Sequence, residues 1–218
     1  MHALFIRHGK CAVPRAIPEE GTLNALGVEQ AKLAGKALVG QDIERLFSSP
    51  YPRAMQTALY ISRATGLKVE IRHRLHEKSG PGDRATRSEI AAKFPEFEVP
   101  GDMPEEWWPD HAESWEDVYA RVRPVVEEFK SLEDKHERIA AVAHGGANDA
   151  LIGVWIDAFQ CPDDQGHQGS GLALEHSMFY HHNCAFTLVS YQEGRSRIHY
   201  INQVEHLNSL GKRDLFFY

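Results

Sequence analysis

The stretch Ala3-Leu4-Phe5-Ile6-Arg7-His8-Gly9 decides how this chain is read. A short, uninterrupted apolar run reads as a buried strand, and Met1 to Ile6 is assigned to one. The strand ends by delivering a cation and an imidazole side by side, then breaks on a glycine. Outward from it the pattern alternates. Residues 10 to 22 form a loop marked by Pro14, Pro18 and Gly21. Asn24 to Leu38 carries Leu26, Gln30, Leu33, Ala34, Ala37 and Leu38 at helical spacing, with Gly40 closing the helix. Ile43 to Phe47 is a second strand. Pro52 to Ala64 is a helix with proline in its first turn and Gly66 after its end. Leu67 to Ile71 alternates as a third strand. Strand, helix, strand, helix, strand is the order of a parallel sheet with crossover helices.

The pattern returns at Ile139 to Ala143, a strand followed by His144-Gly145-Gly146 and a helix through Trp155. Ser114 to Leu132 reads as a long helix, with Ser114 and Asp117 as a capping pair and Pro124 predicting a kink. Cys184 to Tyr191 and Arg197 to Ile201 read as closing strands joined across Glu193-Gly194. The expectation is an α/β fold, a three-layer sandwich whose mostly parallel central sheet is flanked by helices. It forms a single domain over residues 1–218, with an insertion at about 78–113 that bears a helix near Ser88 to Lys93 and the pair Trp107-Trp108.

Composition narrows the function. The net charge of -7 argues against a general nucleic-acid binder, although a few arginines in a pocket can still hold an anion. No apolar run is long enough to cross a bilayer, and no basic leader precedes Leu4. Three cysteines, Cys11, Cys161 and Cys184, form no C-x-x-C pair, which fits a reducing cytoplasm.

Parallel sheets place functional groups at the carboxyl ends of their strands. Arg7-His8-Gly9, Ser48-Ser49-Pro50 with Arg53, Leu75-His76-Glu77 and His144-Gly145-Gly146 all fall there. Two arginines and the N–H groups at a helix start make an anion pocket. A neutral imidazole in it can attack phosphorus, a second can stabilise an equatorial oxygen, and a carboxylic acid can protonate the leaving group.

These residues, with Ala54, Gln56 and Thr57, resemble the histidine phosphatase superfamily, to which cofactor-dependent phosphoglycerate mutase belongs. Leu23, Gly27, Gln30 and Ala31, then Asn183-Cys184, Ile201-Asn202 and His206-Leu207, add to the resemblance. It implies a phosphoglycerate mutase-like fold and a metal-independent phosphomonoester hydrolase without cofactor. His8 would carry the phosphoryl group, Arg7, Arg53 and His144 would hold the phosphate, and Glu77 would be the general acid. The Gly-Gly after His144, where other members carry an aspartate, points to the branch that draws its acid from the Glu77 region. Gly9 would let the backbone approach the phosphate, with Gly145, Lys10 and Arg15 as further substrate contacts. Lys10 and Pro14-Arg15 depart from the mutase pattern, and Ser79-Gly80-Pro81-Gly82 replaces the usual segment after the acid, so hydrolase is favoured over mutase.

The alternatives are a protein phosphohistidine phosphatase, suggested by the short loop after Lys10, and a non-catalytic phospho-ligand binding module. Glu89, Asp83 and Asp102 stand as other candidates for the acid. Trp107 and Trp108 read equally as a substrate lid or as packing. His176, His181 and His182 do not read as a shared metal site, since neighbours on a strand face opposite ways. Arg84 and Arg87 read as surface charges. The expected partner is a small phosphorylated substrate, with no nucleic acid and no membrane. The tail Leu215-Phe216-Phe217-Tyr218 leaves a homodimer open.

Overall fold

In a computed structural model the residues described are 1–12, 22–81, 84–134, 138–157 and 179–211. The loop tip with Arg15, the alternative acid Asp83, Cys161 and the loop from 160 to 174, His176 and the aromatic tail lie outside them.

Seven strands form one sheet: β1 (His2–Arg7), β2 (Arg45–Ser48), β3 (Val69–Ile71), β4 (Phe97–Glu98), β5 (Arg138–Ala143), β6 (Phe186–Gln192) and β7 (Arg195–Gln203). Their spatial order is β4-β3-β2-β5-β1-β6-β7. The first five are parallel, and β6 and β7 close the sheet antiparallel. Helices α1 (Ala25–Leu38), α2 (Pro52–Thr65), α3 (Arg87–Lys93), α4 (Trp115–Lys130) and α5 (Gly145–Trp155) connect them.

The period of two along each strand sorts the core into two layers. Ala3, Phe5, Phe47, Ile139 and Ala141 face α4 and α5, where Val118, Val122, Phe129 and Trp155 complete one apolar layer. Leu4, Ile6, Leu46, Ala140 and Val142 face α1 and α2 and pack on Ala31, Ala34, Ala58 and Ile61. The run at β1 has no polar interruption because both faces of that strand are covered. Fully burying a side chain such as Phe5 or Phe47 contributes about 1.5–3 kcal/mol each.

Local signals place the helix ends. Asn24 accepts from Gly27 N at the start of α1, and Ser114 with Asp117 forms a reciprocal capping box at the start of α4. Gly66 ends α2 with φ at 78°, the left-handed conformation that favours glycine. Glu193 and Gly194, both at positive φ, make the tight turn between β6 and β7. Helix α4 runs unbroken through Pro124. The region read as an insertion does more than cover the sheet, because it supplies α3 and the edge strand β4.

Candidate active site

The carboxyl ends of β1, β5, β2 and β3 bring the expected residues together. Arg7 pairs in register with Ala143, so His8 and His144 leave adjacent strands at the same level. Their ring centroids are 5.1 Å apart. His8 N donates to Ala143 O at 3.0 Å, and Ser49 N donates to Val142 O at 2.9 Å. These bonds extend the sheet into the site.

His8 is 5% exposed. Its Nδ1 lies 2.7 Å from Gly9 O, and Arg53 Nε donates to its Nε2 at 3.1 Å. That pattern puts the ring proton on Nδ1 and the lone pair on Nε2. Burial first, then the charges of Arg53 and Arg7, push His8 well below its ordinary value of 6.5, so the ring is neutral. His144 is fully buried and is held neutral in the same way, by burial and then by Arg53. Its Nε2 lies 2.8 Å from Ser49 Oγ, which also accepts from Tyr51 N. A serine hydroxyl can donate one bond and accept two, so Ser49 can donate to Nε2 while accepting from Tyr51, which in that tautomer puts the imidazole proton on Nδ1. That Nδ1 and Arg7 Nε are buried without a hydrogen-bond partner among the described residues.

Arg7 donates through one terminal nitrogen to His181 O. The guanidinium of Arg53 stacks 4.6 Å from the centroid of Tyr51. Burial lowers the Arg53 value and the negative charge of Glu77 opposes that, which sets the carboxylate close to the cation. Asn183 Nδ2 donates to His8 O at 2.9 Å, and Cys184 N donates to Arg7 O at 2.9 Å. Cys184 holds φ at 56°, so the chain turns sharply there to serve both carbonyls.

Glu77 follows β3 and a single 3-10 turn, His73–Leu75. Gly146 N and Ala147 N at the start of α5 donate to its two carboxylate oxygens at 3.2 Å each, and Lys78 N donates at 2.9 Å. The N–H groups expected to hold phosphate at this helix start thus hold the acid, a favourable place for a negative group. A Cβ at Gly146 would lie 2.6 Å from Glu77 Oε1, whereas one at Gly145 would meet only Arg7 and Glu77 at 3.9–4.0 Å.

Other candidates fall elsewhere. Glu89 is spent in the capping box of α3 with Thr86. Asp102 is exposed beside His73 and Arg74, in a groove also lined by Pro124, Val125 and Glu128 of α4 and by none of the expected catalytic residues. Gly9 is required by packing: a Cβ there would lie 2.6 Å from Gly27 O, and Gly9 N donates to Thr57 Oγ1 at 3.0 Å. Lys10 is tied through its backbone to Gln30 Oε1 and Asn24 N. Cys11 pairs with Leu23 in an isolated antiparallel bridge. Trp107 is 5% exposed and donates to Ala85 O, so it packs the segment down on Tyr51 and is no open lid. Arg84, read as a surface charge, donates to the Tyr51 hydroxyl at 2.9 Å and lies over that ring. Tyr51, His181 and the Glu113–Arg121 pair carried no signal of their role in the sequence, because only the folded chain sets Tyr51 against Arg53, His181 against Arg7 and the pair against the chain flanking Glu77. His181 is buried near Arg7 and pushed down to about 4, chiefly by burial.

A buried neutral imidazole whose Nε2 lone pair is held by an arginine, two guanidiniums and a carboxylate at the ends of parallel strands define a phosphoryl-transfer site on an α/β sandwich. The chain belongs to the histidine phosphatase superfamily (branch 1), whose sequence model matches residues 3–204. It is 32% identical over 160 residues to the glucosyl-3-phosphoglycerate phosphatase of Mycobacterium tuberculosis, covering 68% of this chain and 72% of that one. The native structure of the mycobacterial glucosyl-3-phosphoglycerate phosphatase superposes with a TM-score of 0.64 at 26% identity, covering 93% of this chain and 99% of that one. A phosphoserine phosphatase from Entamoeba histolytica, solved with 3-phosphoglyceric acid, shares the fold at 16% identity and a TM-score of 0.63, covering 94% of this chain and 98% of that one. The protein is a phosphatase of this family. No helix among the described residues is long and apolar enough to cross a membrane.

Proposed function

We propose that the protein hydrolyses small phosphorylated carboxylic acids in two steps, through a phosphohistidine on His8 Nε2 and without a metal. The observation that carries this is the state of His8: buried, neutral, proton fixed on Nδ1 by Gly9 O, and Nε2 next to Arg53. A phosphate entering there takes over the Arg53 guanidinium and frees the Nε2 lone pair. Arg7 and Arg53 bind the nonbridging oxygens, and the unpartnered Arg7 Nε and His144 Nδ1–H supply two further donors. Gly145 and Lys10 complete the substrate shell in this reading, and Arg15, the third expected contact, lies outside the described residues. In the first step Nε2 bonds to phosphorus, the ester P–O bond breaks, and its electron pair leaves with the alcohol oxygen. The Glu77 carboxylic acid protonates that oxygen. In the second step the Glu77 carboxylate takes a proton from water, which attacks phosphorus and breaks the P–N bond. Uncatalysed phosphomonoester hydrolysis is slow enough that enzymes accelerate it by up to about 10²¹-fold, so positioned charge matters more here than acid strength alone.

The substrate class follows the relatives' phosphorylated acids and the cationic pocket. The phosphohistidine-protein reading rested on the loop after Lys10, whose tip lies outside the described residues. The binding-module reading loses its motive, since Glu77 stands at the pocket. Three cysteines, an odd number, fit a reducing compartment, and the cytoplasm is the location we propose. The test is phosphate release from phosphoserine, a phosphoglycerate and an aryl phosphate with chelator present, together with trapping of an acid-labile phosphoenzyme. Chelator-resistant turnover, with the label lost in His8→Ala, is expected. Turnover near the wild-type rate in His8→Ala would overturn the mechanism.

A further inference from the structure

Beside the acid lies an ion pair that the mechanism does not use. Glu113 precedes the N-cap of α4 and Arg121 lies within that helix. Their side chains are 3% and 13% exposed, and Arg121 Nε meets Glu113 Oε1 at 2.5 Å, with a second contact to Oε2 at 3.2 Å. Burying such a pair is weak for stability, because desolvation offsets the attraction. Its other bonds show a different role. Arg121 donates to Arg74 O at 2.7 Å, three residues before Glu77. Glu113 Oε2 accepts from Ser79 N at 2.9 Å, and Glu113 N donates to Ser79 O at 2.8 Å, two residues after Glu77. The chain carrying the acid is therefore gripped on both sides of it. Between the two grips His76 is pushed down to about 3, by burial and then by Arg121, so it is neutral. Its Nδ1–H donates to Glu77 O at 2.8 Å, and its 3.9 Å approach to Glu113 is proximity without an ion pair.

We infer that Glu113 and Arg121 are positioning residues that hold Glu77 at the start of α5, where its carboxyl can reach the leaving oxygen. This rests on the reading of Glu77 as the general acid. A displaced acid penalises only reactions that need a proton delivered. The breaking P–O bond to an alkyl alcohol needs that proton, while the bond to 2,4-dinitrophenolate does not. Attack by His8 is common to both.

The experiment compares kcat/KM for an alkyl phosphate and for 2,4-dinitrophenyl phosphate in wild type, Glu77→Gln, Glu113→Gln, Arg121→Lys and the double variant Glu113→Gln/Arg121→Gln. The double variant removes both charges together, so no orphaned charge unfolds the protein, and thermal melting confirms the fold. Glu77→Gln is expected to lose about 10²-fold or more on the alkyl ester and less than about fivefold on the dinitrophenyl ester. The clamp variants are expected to lose about tenfold on the alkyl ester, with the dinitrophenyl rate nearly kept. If Glu77→Gln shows the difference and the folded clamp variants keep the wild-type ratio, or lose both activities equally, the positioning role is overturned. If Glu77→Gln itself shows no difference between esters, the assignment of the acid fails, and the clamp loses its object with it.

Discussion

Two groups of arginines in this molecule are held by different kinds of partner. Near the β2–β3 edge, Arg45 donates to both oxygens of Glu70 at 2.7 and 2.5 Å, and Arg72 donates to Glu128 at 2.7 Å and to Glu70 at 3.2 Å. Both guanidiniums lie over the Phe47 ring. Charge there is balanced, two against two, and the network joins β2, β3 and α4. At the pocket, Arg7 donates to a carbonyl and Arg53 to an imidazole nitrogen. Glu77, whose charge acts on Arg53, accepts from backbone N–H groups. The same residue type therefore does two things. Matched to carboxylates it ties elements together, and resting on neutral acceptors it leaves a positive field for an anion.

The sharpest way to break the comparison is His8→Ala. Removing the nucleophile is expected to reduce turnover of a small phosphomonoester by at least about 10³-fold while the melting temperature stays close to wild type. Phosphate release with chelator present measures it.

Acid should separate the two regions next. Four buried histidines at or near the pocket, His8, His144, His76 and His181, all have values below 6.5, the last two at about 3 and about 4. Burial is the first cause in each. A histidine depressed on folding takes its proton in the unfolded chain first. Its contribution is complete well above pH 6.5 and is lost as pH falls below that value, by about 1.4 kcal/mol for each histidine at pH 5.5. Glu70 loses its contribution in the same direction, but in a lower pH window. Burial pushes it up, but the bonds from Arg45 and Arg72 outweigh this and hold it below 4.5, so its contribution fades only under more acid conditions. Unfolding free energies from urea titrations at pH 7.5 and 5.5 should therefore differ by about 5 kcal/mol from these four histidines. A flat profile over that interval would contradict the buried neutral state of the pocket.

Gly146→Ala probes the seat of the acid. Its Cβ would come within 2.6 Å of Glu77 Oε1 and 3.1 Å of Trp115 Cη2. Displacement of the carboxylate should lower kcat/KM on an alkyl phosphate about tenfold, or about 1.4 kcal/mol. Gly145→Ala, with nothing closer than 3.9 Å, should stay within about threefold of wild type. Equal losses in both variants would mean that crowding at this turn is general and unrelated to Glu77.

What the sequence disclosed follows from what is local. The apolar runs at β1 and β5 and the breaks after them placed Arg7, His8 and His144, because strand ends are set by residues adjacent in the chain. Glu77 was legible through its motif. Strand β4 was not, since Phe97 and Glu98 sit between Pro95 and Pro100 with too few residues to show a period. Gly9 was read as room for the phosphate and Gly27 was noted without a reason, whereas both sit at a backbone crossing between a loop and α1. The recipients of the α5 N–H groups, the contact of Arg84 with Tyr51 and the grip of Glu113 and Arg121 on the acid loop join residues 8 to 70 positions apart. No periodicity records such pairs.

The smallest expected effect completes the contrast. Arg45→Gln removes one cation from the balanced network and leaves Glu70 with Arg72. The Arg45 side chain is 23% exposed, so solvent screens part of the loss, and the cost should be about 1 kcal/mol. For a chain of this size that lowers the melting temperature by about 2–4 °C. Phosphatase activity at 25 °C should stay within about twofold of wild type, because no bond of Arg45 reaches a residue of the pocket. Arg45 and Glu70 meet on β2 and β3, whose carboxyl ends carry Ser49 and lead to Glu77. A tenfold loss of kcat/KM in the folded variant would therefore mean that the network sets the register of those strands, and that the two groups of arginines act as one device.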